Sequence, residues 1–312
     1  MQNFFDSVSA VVLILLMTAA GYFCGAMGWM TRENKHFLVR YIIDIAMPCM
    51  VVTNLMGVVT REMLREAGVL LLVPLCAIIL SFSLSLFLAR ALKLERKKIG
   101  VFVAMSCVSN SIFIGYPMCV NLFGQDCVFY VLCYFLINTT FFQIVGVGML
   151  NYSGQSENAV PKLKSVIKGV VKPPVCAIII CVLLILLDVK LPSLVMRFAG
   201  YMGGTVTPMA LVFTGFVIYE LGLKKLKPDL SLLTMLLLRF VASPLLCILF
   251  CKLFAVGGLA RSVLVIEHAM PVMTQVIVLS ADCGADESYA ALGTALSTLA
   301  CFIVVPVLML LI

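Results

Sequence analysis

Apolar segments long enough to cross a lipid bilayer recur along most of this 312-residue chain, separated by short polar connections. A helix needs about 20 apolar residues to span the hydrocarbon core of a membrane. We therefore expect an all-α polytopic membrane protein with ten transmembrane helices. The ten predicted spans, numbered 1 to 10 in chain order, lie near residues 8–28, 36–57, 67–90, 98–122, 127–150, 167–187, 192–219, 229–253, 261–281 and 288–311.

Composition excludes several other classes of protein. Hydrophobic residues make up 63% of the chain and charged residues 12%, whereas soluble domains are about 45–50% apolar and about 25% charged. The net charge of +7 lies in clusters between the spans, without a phosphate-binding glycine loop or a zinc spacing, so we expect no nucleic-acid partner. Nearly all of the 13 cysteines lie inside spans without a CxxC pair, where cysteine acts as a small hydrophobic residue. We expect no cofactor.

The distribution of lysine and arginine orients the predicted spans. Arg32 and Lys35 follow the first span rather than preceding it, which places the N-terminus outside the cytoplasm. With that orientation 14 basic residues lie on the cytoplasmic side of the membrane and 6 on the other side. The sequence therefore predicts a multi-pass protein of the plasma (inner) membrane with both termini outside the cytoplasm.

The two halves of the chain carry helix-breaking residues in the same order. Five spans per half is an odd number, so the second copy would enter the membrane from the opposite side, as in the inverted repeats of many secondary transporters. The alternative is that membrane helices merely tolerate proline. "NTTFF" in span 5 stands opposite "STLACF" in span 10. The matching prolines of spans 2 to 4 and spans 7 to 9 are Pro48 with Pro208, Pro74 with Pro244, and Pro117 with Pro271.

One appreciable polar connection, "NYSGQSENAVPKLKS", separates the two halves. It predicts a division of the chain into a first repeat at residues 1–150, a cytoplasmic linker at 151–166 and a second, inverted repeat at 167–312.

Span 4 contains a stretch, "SNSIFIGYP", that does not suit a continuous membrane helix. Asn110 places an amide among apolar residues, and Gly115 and Pro117 weaken the helix. Irregular backbone at membrane depth persists only where protein or a water-filled cavity satisfies its hydrogen bonds. Breaks in the matching spans 4 and 9 are expected to meet near the midplane and to present helix N-termini, which attract carboxylates. A binding site is therefore predicted at this crossing.

The run "SNSIFIGYP", followed by "EHAMP" in span 9, resembles the auxin efflux carrier family, and the similarity covers essentially the whole chain. The resemblance implies a 5+5 inverted repeat in which broken helices 4 and 9 cross. It also implies a scaffold of helices 1, 2, 6 and 7, often dimeric, and a moving transport domain of helices 3–5 and 8–10. Substrates of the family are organic anions, from auxin to small dicarboxylates such as malate and malonate. We therefore expect a homodimer formed through the scaffold helices.

A more distant similarity concerns ion coupling. Bile-acid sodium symporters carry a Ser-Asn pair in span 4 and a Glu-x-x-Met in span 9 around sodium, and this chain has Ser109-Asn110 and Glu267 to Met270. The resemblance implies a sodium site at Asn110 and Glu267. Pro271 stands where the symporters have a glutamine, which removes a ligand of their second sodium.

Glu267 is the sharpest single candidate, because a carboxylate inside a span costs on the order of 3 kcal/mol and usually has a partner or a task. It could bind sodium, carry a proton or pair with Arg239; the alternative is that it is hydrated near the outer end of span 9.

Arg239, deep in span 8, could instead hold a substrate carboxylate in a bidentate contact. His268 is a candidate for titration near physiological pH. Arg40 and Asp44, four residues apart in span 2, are expected to pair.

Two sets of residues make up the predicted site. Polar members such as Thr139 and Thr140 could also serve only to hold membrane helices together. The substrate-binding set is Asn110, Gly115, Pro117, Asn138, Thr139, Arg239, Pro271 and Gln275. The ion-coupling set is Ser109, Asn110, Thr140, Glu267, His268 and Met270.

These features predict a secondary carrier that moves a small organic anion, such as malate or malonate, by elevator-like alternating access. Coupling to Na+, to H+ or to neither stays open. The alternatives are a bile-acid-symporter-like carrier of a larger amphipathic anion and a ligand-gated sensor on the same fold. A membrane enzyme is not expected, because Glu267-His268 lacks the second histidine that a helical zinc motif requires. The expected partners are the anion, membrane lipid and a second copy of the chain.

Overall fold

The computed structural model describes residues 2–154, 173–222 and 229–310. Within those ranges the chain is helical, and its one extended pairing is an antiparallel bridge between Ser109 and Val272. The helices, numbered in chain order, are α1 (Gln2–Ala26), α2 (Arg32–Tyr41), α3 (Met47–Val58), α4 (Arg61–Ala91), α5 (Arg96–Cys107), α6 (Tyr116–Phe123), α7 (Val128–Phe141), α8 (Val147–Ser153), α9 (Pro173–Leu186), α10 (Ser193–Gly203), α11 (Val206–Leu221), α12 (Leu230–Leu237), α13 (Ser243–Leu253), α14 (Gly258–His268), α15 (Gln275–Cys283) and α16 (Glu287–Met309).

Six helical segments of the described chain are long and apolar enough to cross a membrane, and they coincide with predicted spans 2, 3, 5, 7, 8 and 10. The protein is therefore a multi-pass membrane protein. The predicted linker 151–166 and the start of span 6 lie, from residue 155 onward, outside the described residues. The six segments are Glu33–Gly57, Ala67–Ala91, Gln125–Ser153, Ser193–Glu220, Leu230–Leu253 and Glu287–Leu308. Shorter apolar helical stretches in predicted spans 1, 4 and 6 are Val12–Ala26, Ser111–Phe123 and Pro173–Leu186.

Several helices begin at residues whose side chains cap the first free N–H groups. The side-chain oxygens of Thr60, Asp229 and Asp286 each accept a hydrogen bond from the backbone N–H three residues later, at 3.3, 2.8 and 2.9 Å. These groups would otherwise have no partner within the helix. The polar connections between apolar runs therefore define where α4, α12 and α16 start.

Three prolines stand directly after turns of π-helix. A proline ring collides with the carbonyl four residues earlier, and in all three cases that carbonyl lies within the π turn. The wider turn gives the ring room, so the helix continues beyond the proline. The π turns are Ile42–Ala46 before Pro48, Ser111–Gly115 before Pro117, and Leu238–Ala242 before Pro244.

The first helix of each predicted half packs against the second helix of the other half. Helix α1 of span 1 lies along α11 of span 7, and α9 of span 6 lies along α3 of span 2. At the α1–α11 contact, a Cβ on Gly21 or on Gly215 would overlap the backbone of the facing helix. Small residues let membrane helices approach closely, which increases the dispersion contacts that hold them together.

Predicted spans 4 and 9 are both interrupted. In span 4, α5 is followed by the non-helical residues 108–110, a π turn and α6; in span 9, residues 269–274 separate α14 from α15. Helix α5 packs against α4, and α14 packs against α13. Each first half-helix therefore contacts the span that precedes it in its own half of the chain.

The expected pair in span 2 is present. Arg40 Nε lies 3.9 Å from Asp44 Oδ2, and both side chains are exposed. An exposed pair of this kind contributes about 0–1 kcal/mol, so it has little weight in the fold.

Candidate functional site

The two interruptions meet backbone to backbone. The N–H of Asn110 donates to the carbonyl of Pro271 at 2.8 Å, and Ser109 pairs with Val272 in the antiparallel bridge. Backbone groups that have left their helices therefore satisfy one another inside the protein, as is required at membrane depth. The two breaks therefore meet, and Pro271 takes part in the contact through its carbonyl.

Side chains from spans 5 and 10 complete the hydrogen bonding at the bridge. Asn138 accepts from the N–H of Ser109 at 3.0 Å and donates to its carbonyl at 2.9 Å. On the other strand, Ser297 accepts from the N–H of Val272 at 3.0 Å. Asn138 is thus engaged by the backbone and positions Ser109. Ser297 is absent from the predicted site, although its segment, "STLACF", is the one that stands opposite "NTTFF".

A chain of side-chain contacts leads from Ser109 of the bridge to three further polar residues. The hydroxyl of Ser109 lies 2.7 Å from that of Tyr134, whose ring contacts His268 edge to face at 4.9 Å. Nδ1 of His268 lies 3.0 Å from the hydroxyl of Ser243. Tyr134 and Ser243 were not predicted, because neither belongs to the motifs of spans 4 and 9.

Arg239 lies between the ends of two half-helices. Its side chain is fully buried, and its guanidinium donates to the carbonyl of Ser106 at 3.3 Å and to that of His268 at 3.0 Å. Ser106 and His268 belong to the last turns of α5 and α14. Helix C-termini carry a partial negative charge, so the cation offsets both. No contact ion pair joins Arg239 to Glu267 among the described residues, and Arg239 does not line the cleft described below.

Glu267 is buried, so the alternative of a hydrated carboxylate near the outer end of span 9 does not agree with the structure. Its side chain is 0% exposed. Oε1 accepts from the thiol of Cys119 at 3.6 Å, and Oε2 has no hydrogen-bond partner among the described residues. Gly115 stands against the carboxyl group, since a Cβ there would lie 2.6 Å from both of its oxygens. The missing side chain at Gly115 makes the room that Glu267 occupies.

A cleft opens beside the crossing, where the π turn after Asn110 and helix α15 both begin. Asn110 Nδ2 donates to the hydroxyl of Thr274 at 3.3 Å, and Asn110 Oδ1 accepts from the N–H of Phe113 at 3.2 Å. The space left for water-sized groups is about 50 Å³, and one water needs roughly 10–15 Å³ by this measure. The lining is Ile43, Met47, Asn110, Ser111, Ile112, Phe113, Phe135, Thr139, Pro174, Met273, Thr274 and Gln275.

The remaining predicted residues divide into two groups. Thr139 and Gln275 line the cleft, and the hydroxyl of Thr139 is buried without a partner among the described residues. Pro117, Met270 and Thr140 do not line it. Pro117 belongs to α6, and Met270 is buried in the non-helical part of span 9. Ser111 and Thr274 line the cleft but are absent from the predicted site. Ser111 directly follows the non-helical residues of span 4 and Thr274 ends those of span 9, and this position is the signal in the sequence that points to them.

The described residues contain no group of three or more His, Cys, Asp or Glu side chains that could hold a metal ion. A sodium ion at the predicted place would have to use Glu267 Oε2, together with uncharged oxygens. Asn110 Oδ1 already accepts from a backbone N–H, and the carbonyls of Ser106 and His268 already accept from Arg239. Apart from Glu267 Oε2, the oxygens named here therefore already take part in hydrogen bonds.

Comparison with known proteins gives consistent results over nearly the whole chain. A sequence profile described as "Membrane transport protein" matches residues 6–309. An uncharacterized transporter of Methanocaldococcus jannaschii is 24% identical over 278 residues, covering 87% of this chain and 88% of that protein. An uncharacterized transporter of Methanothermobacter thermautotrophicus is 26% identical over 271 residues, covering 86% of each chain.

Proposed function

Because this chain belongs to the membrane transport protein family, the family of auxin efflux carrier type, we propose that it is a secondary carrier of a small organic anion. The observation that supports an anion is the pair of helix starts at the cleft. The π turn after Asn110 and helix α15 after Thr274 both begin there. The positive end of a helix dipole attracts a carboxylate.

The architecture we propose is the ten-helix 5+5 inverted repeat in the plasma membrane, with both termini outside the cytoplasm. Helices of spans 1, 2, 6 and 7 would form the scaffold, and those of spans 3–5 and 8–10 would move. Two features support this grouping. First, spans 1 and 7 pack together, as do spans 2 and 6. Second, the cleft is lined both by Ile43, Met47 and Pro174, which belong to the proposed scaffold, and by residues of the two breaks, which belong to the proposed moving group. The cleft is too narrow for a dicarboxylate as it stands, so sliding of the moving helices would open it.

We further propose that Glu267 carries the coupling proton. A buried carboxylate without a cation in contact is costly, and Glu267 has a thiol as its only hydrogen-bonding neighbour among the described residues. Binding of a proton removes that charge. In related architectures sodium binds to carbonyl groups at the ends of broken helices. Here the guanidinium of Arg239 donates to such carbonyls, so its permanent positive charge would take the place of a transported sodium ion.

The test is malonate and malate uptake into proteoliposomes under an inward proton gradient, an inward sodium gradient or neither. We expect uptake to follow the proton gradient, and Glu267→Gln to lower that component at least tenfold. Glu62→Gln is the matched control, because Glu62 is exposed at the start of α4. Uptake driven by sodium alone, or unchanged in Glu267→Gln, would contradict proton coupling through this residue.

A larger amphipathic anion is the second candidate substrate, because most side chains that line the cleft are apolar. The two candidates separate in a thermal-stability screen of the purified protein. A ligand present at 100 times its dissociation constant adds about 2.7 kcal/mol to the free energy of unfolding. Stabilisation by malonate or malate supports the small anion, and stabilisation by bile salts alone supports the larger one.

A further inference from the structure

A second cavity, separate from the cleft, lies between α3, α4, α7 and α9. Its volume is about 490 Å³, within the range of roughly 300–1,000 Å³ that is typical of small-ligand pockets. The wall is formed by aliphatic and aromatic side chains, among them Leu71, Phe129, Leu132 and Val182. No residue of the crossing lines it.

Two cations border this apolar space. Among the described side chains of its lining, the charged ones are Arg61 and Arg65, which lie one turn apart near the start of α4. Nε of Arg61 donates to the carbonyl of Ile185 at 3.2 Å, which ties its guanidinium to the last turn of α9. Both side chains are exposed at the end of an apolar helix. Arginines at such a position lie at the level of the lipid headgroups.

The chemistry of the cavity fits a molecule with one anionic end and a long apolar body. A small dicarboxylate would leave its second charge against an apolar wall, which is costly. An acyl chain gains free energy from the same wall by leaving water. A guanidinium group can donate two parallel hydrogen bonds to two oxygens of one phosphate, a bidentate contact that arginine favours.

We propose that this cavity is a binding site for an anionic phospholipid, with its phosphate on Arg61 and Arg65 and one acyl chain between α4 and α9. The four helices belong to predicted spans 2, 3, 5 and 6, so the lipid lies between two spans of the proposed scaffold and two of the proposed moving group. Its occupancy would therefore affect how readily these groups slide. The binding site itself does not depend on which substrate is transported.

The experiment is native mass spectrometry of the purified full chain titrated with phosphatidylglycerol or with phosphatidylcholine of the same acyl chains. Each arginine near an anionic headgroup contributes about a fivefold gain in affinity, so we expect roughly thirtyfold preference for phosphatidylglycerol at one site. The double variant Arg61→Gln/Arg65→Gln is expected to lose that preference. Arg90→Gln, exposed at the other end of α4, is the matched control and should retain it.

The acyl-chain half of the proposal is tested separately. Ala67 lines the cavity and is partly buried, so Ala67→Phe should fill the space and lower lipid retention while both arginines stay. Ala67→Leu is the smaller variant if phenylalanine impairs folding. Undiminished phosphatidylglycerol binding in Arg61→Gln/Arg65→Gln, or in both Ala67 variants, would overturn the proposal. Complete displacement of the lipid by millimolar inorganic phosphate would also overturn it, because the site would then bind an anion without its chain.

Discussion

The two interruptions at the crossing are built differently, although they hold equivalent places in the two halves of the chain. In span 4, residues 100–119 are all buried and Asn138 makes two hydrogen bonds to the backbone of Ser109. In span 9, the non-helical segment 269–274 is longer and Ser297 makes one such bond. The side chains of Met273, Thr274 and Gln275 are partly exposed. From this difference we expect the span 4 break to be held more firmly than the span 9 break, although both line the cleft.

Arg239 contacts the helix end before each break, and its loss should have a large effect on stability. Arg239→Met keeps much of the side-chain volume but leaves two helix-end carbonyls without their donor. Removal of one partner from a buried charged network costs about 3–5 kcal/mol, so we expect a large fall in thermal stability and in folded yield. Arg40→Met is the control, because its exposed pair with Asp44 contributes about 0–1 kcal/mol. Equal melting temperatures for the two variants would contradict the bridging role of Arg239.

The two breaks can be compared directly by removing the side chain that holds each one. Asn138→Leu leaves both the N–H and the carbonyl of Ser109 unpaired, whereas Ser297→Ala leaves only the N–H of Val272. Each unsatisfied buried group costs about 1–3 kcal/mol, so Asn138→Leu should lower the free energy of unfolding by about 2–6 kcal/mol and Ser297→Ala by about half as much. Denaturation of both variants in the same detergent measures the ratio. Equal losses would mean that the two breaks are held equally firmly.

The smallest expected effect concerns the span 9 side of the cleft. Thr274→Val keeps the shape of the side chain but removes the acceptor of Asn110 Nδ2. One hydrogen bond is worth about 0.5–1.5 kcal/mol, so we expect anion affinity to fall by about 2- to 13-fold, with little change in stability. Ligand-induced thermal shifts and the KM of uptake report the two quantities. Thr234→Val is the control, because the Thr234 hydroxyl donates to the carbonyl of Leu230 within α12 and lies outside the cleft. An equal loss of anion affinity in this variant would contradict the role of Thr274.

The breaks themselves could be predicted from local sequence. Asn110, Gly115 and Pro117 lie together in an apolar run, and few arrangements satisfy such residues at membrane depth. Six of the ten predicted spans coincide with long apolar helices among the described residues. The pairing of "NTTFF" with "STLACF" also located the two segments that support the bridge.

Individual partners could not be predicted in the same way. Arg239 was expected to hold a substrate or to pair with Glu267, yet it binds the carbonyls of Ser106 and His268. The hydroxyl of Tyr134, in span 5, forms a hydrogen bond with the hydroxyl of Ser109. Nothing in the sequence of span 5 indicates this contact. These contacts join residues that are 25 to 133 positions apart, and hydropathy contains no information about such distances.

The sequence by itself determined that this protein is helical, crosses a membrane several times and has two interrupted spans. The reason is that a helix must be long enough to cross the lipid and that every backbone polar group within the lipid needs a hydrogen-bond partner. The tertiary structure alone decided which groups satisfy those requirements. It buried Glu267 against Gly115, placed Arg239 at two helix ends and left Asn110 and Thr274 at the cleft. The physical reason is that the lipid constraint is local to each segment, whereas the choice of partner depends on how segments far apart in the chain pack together.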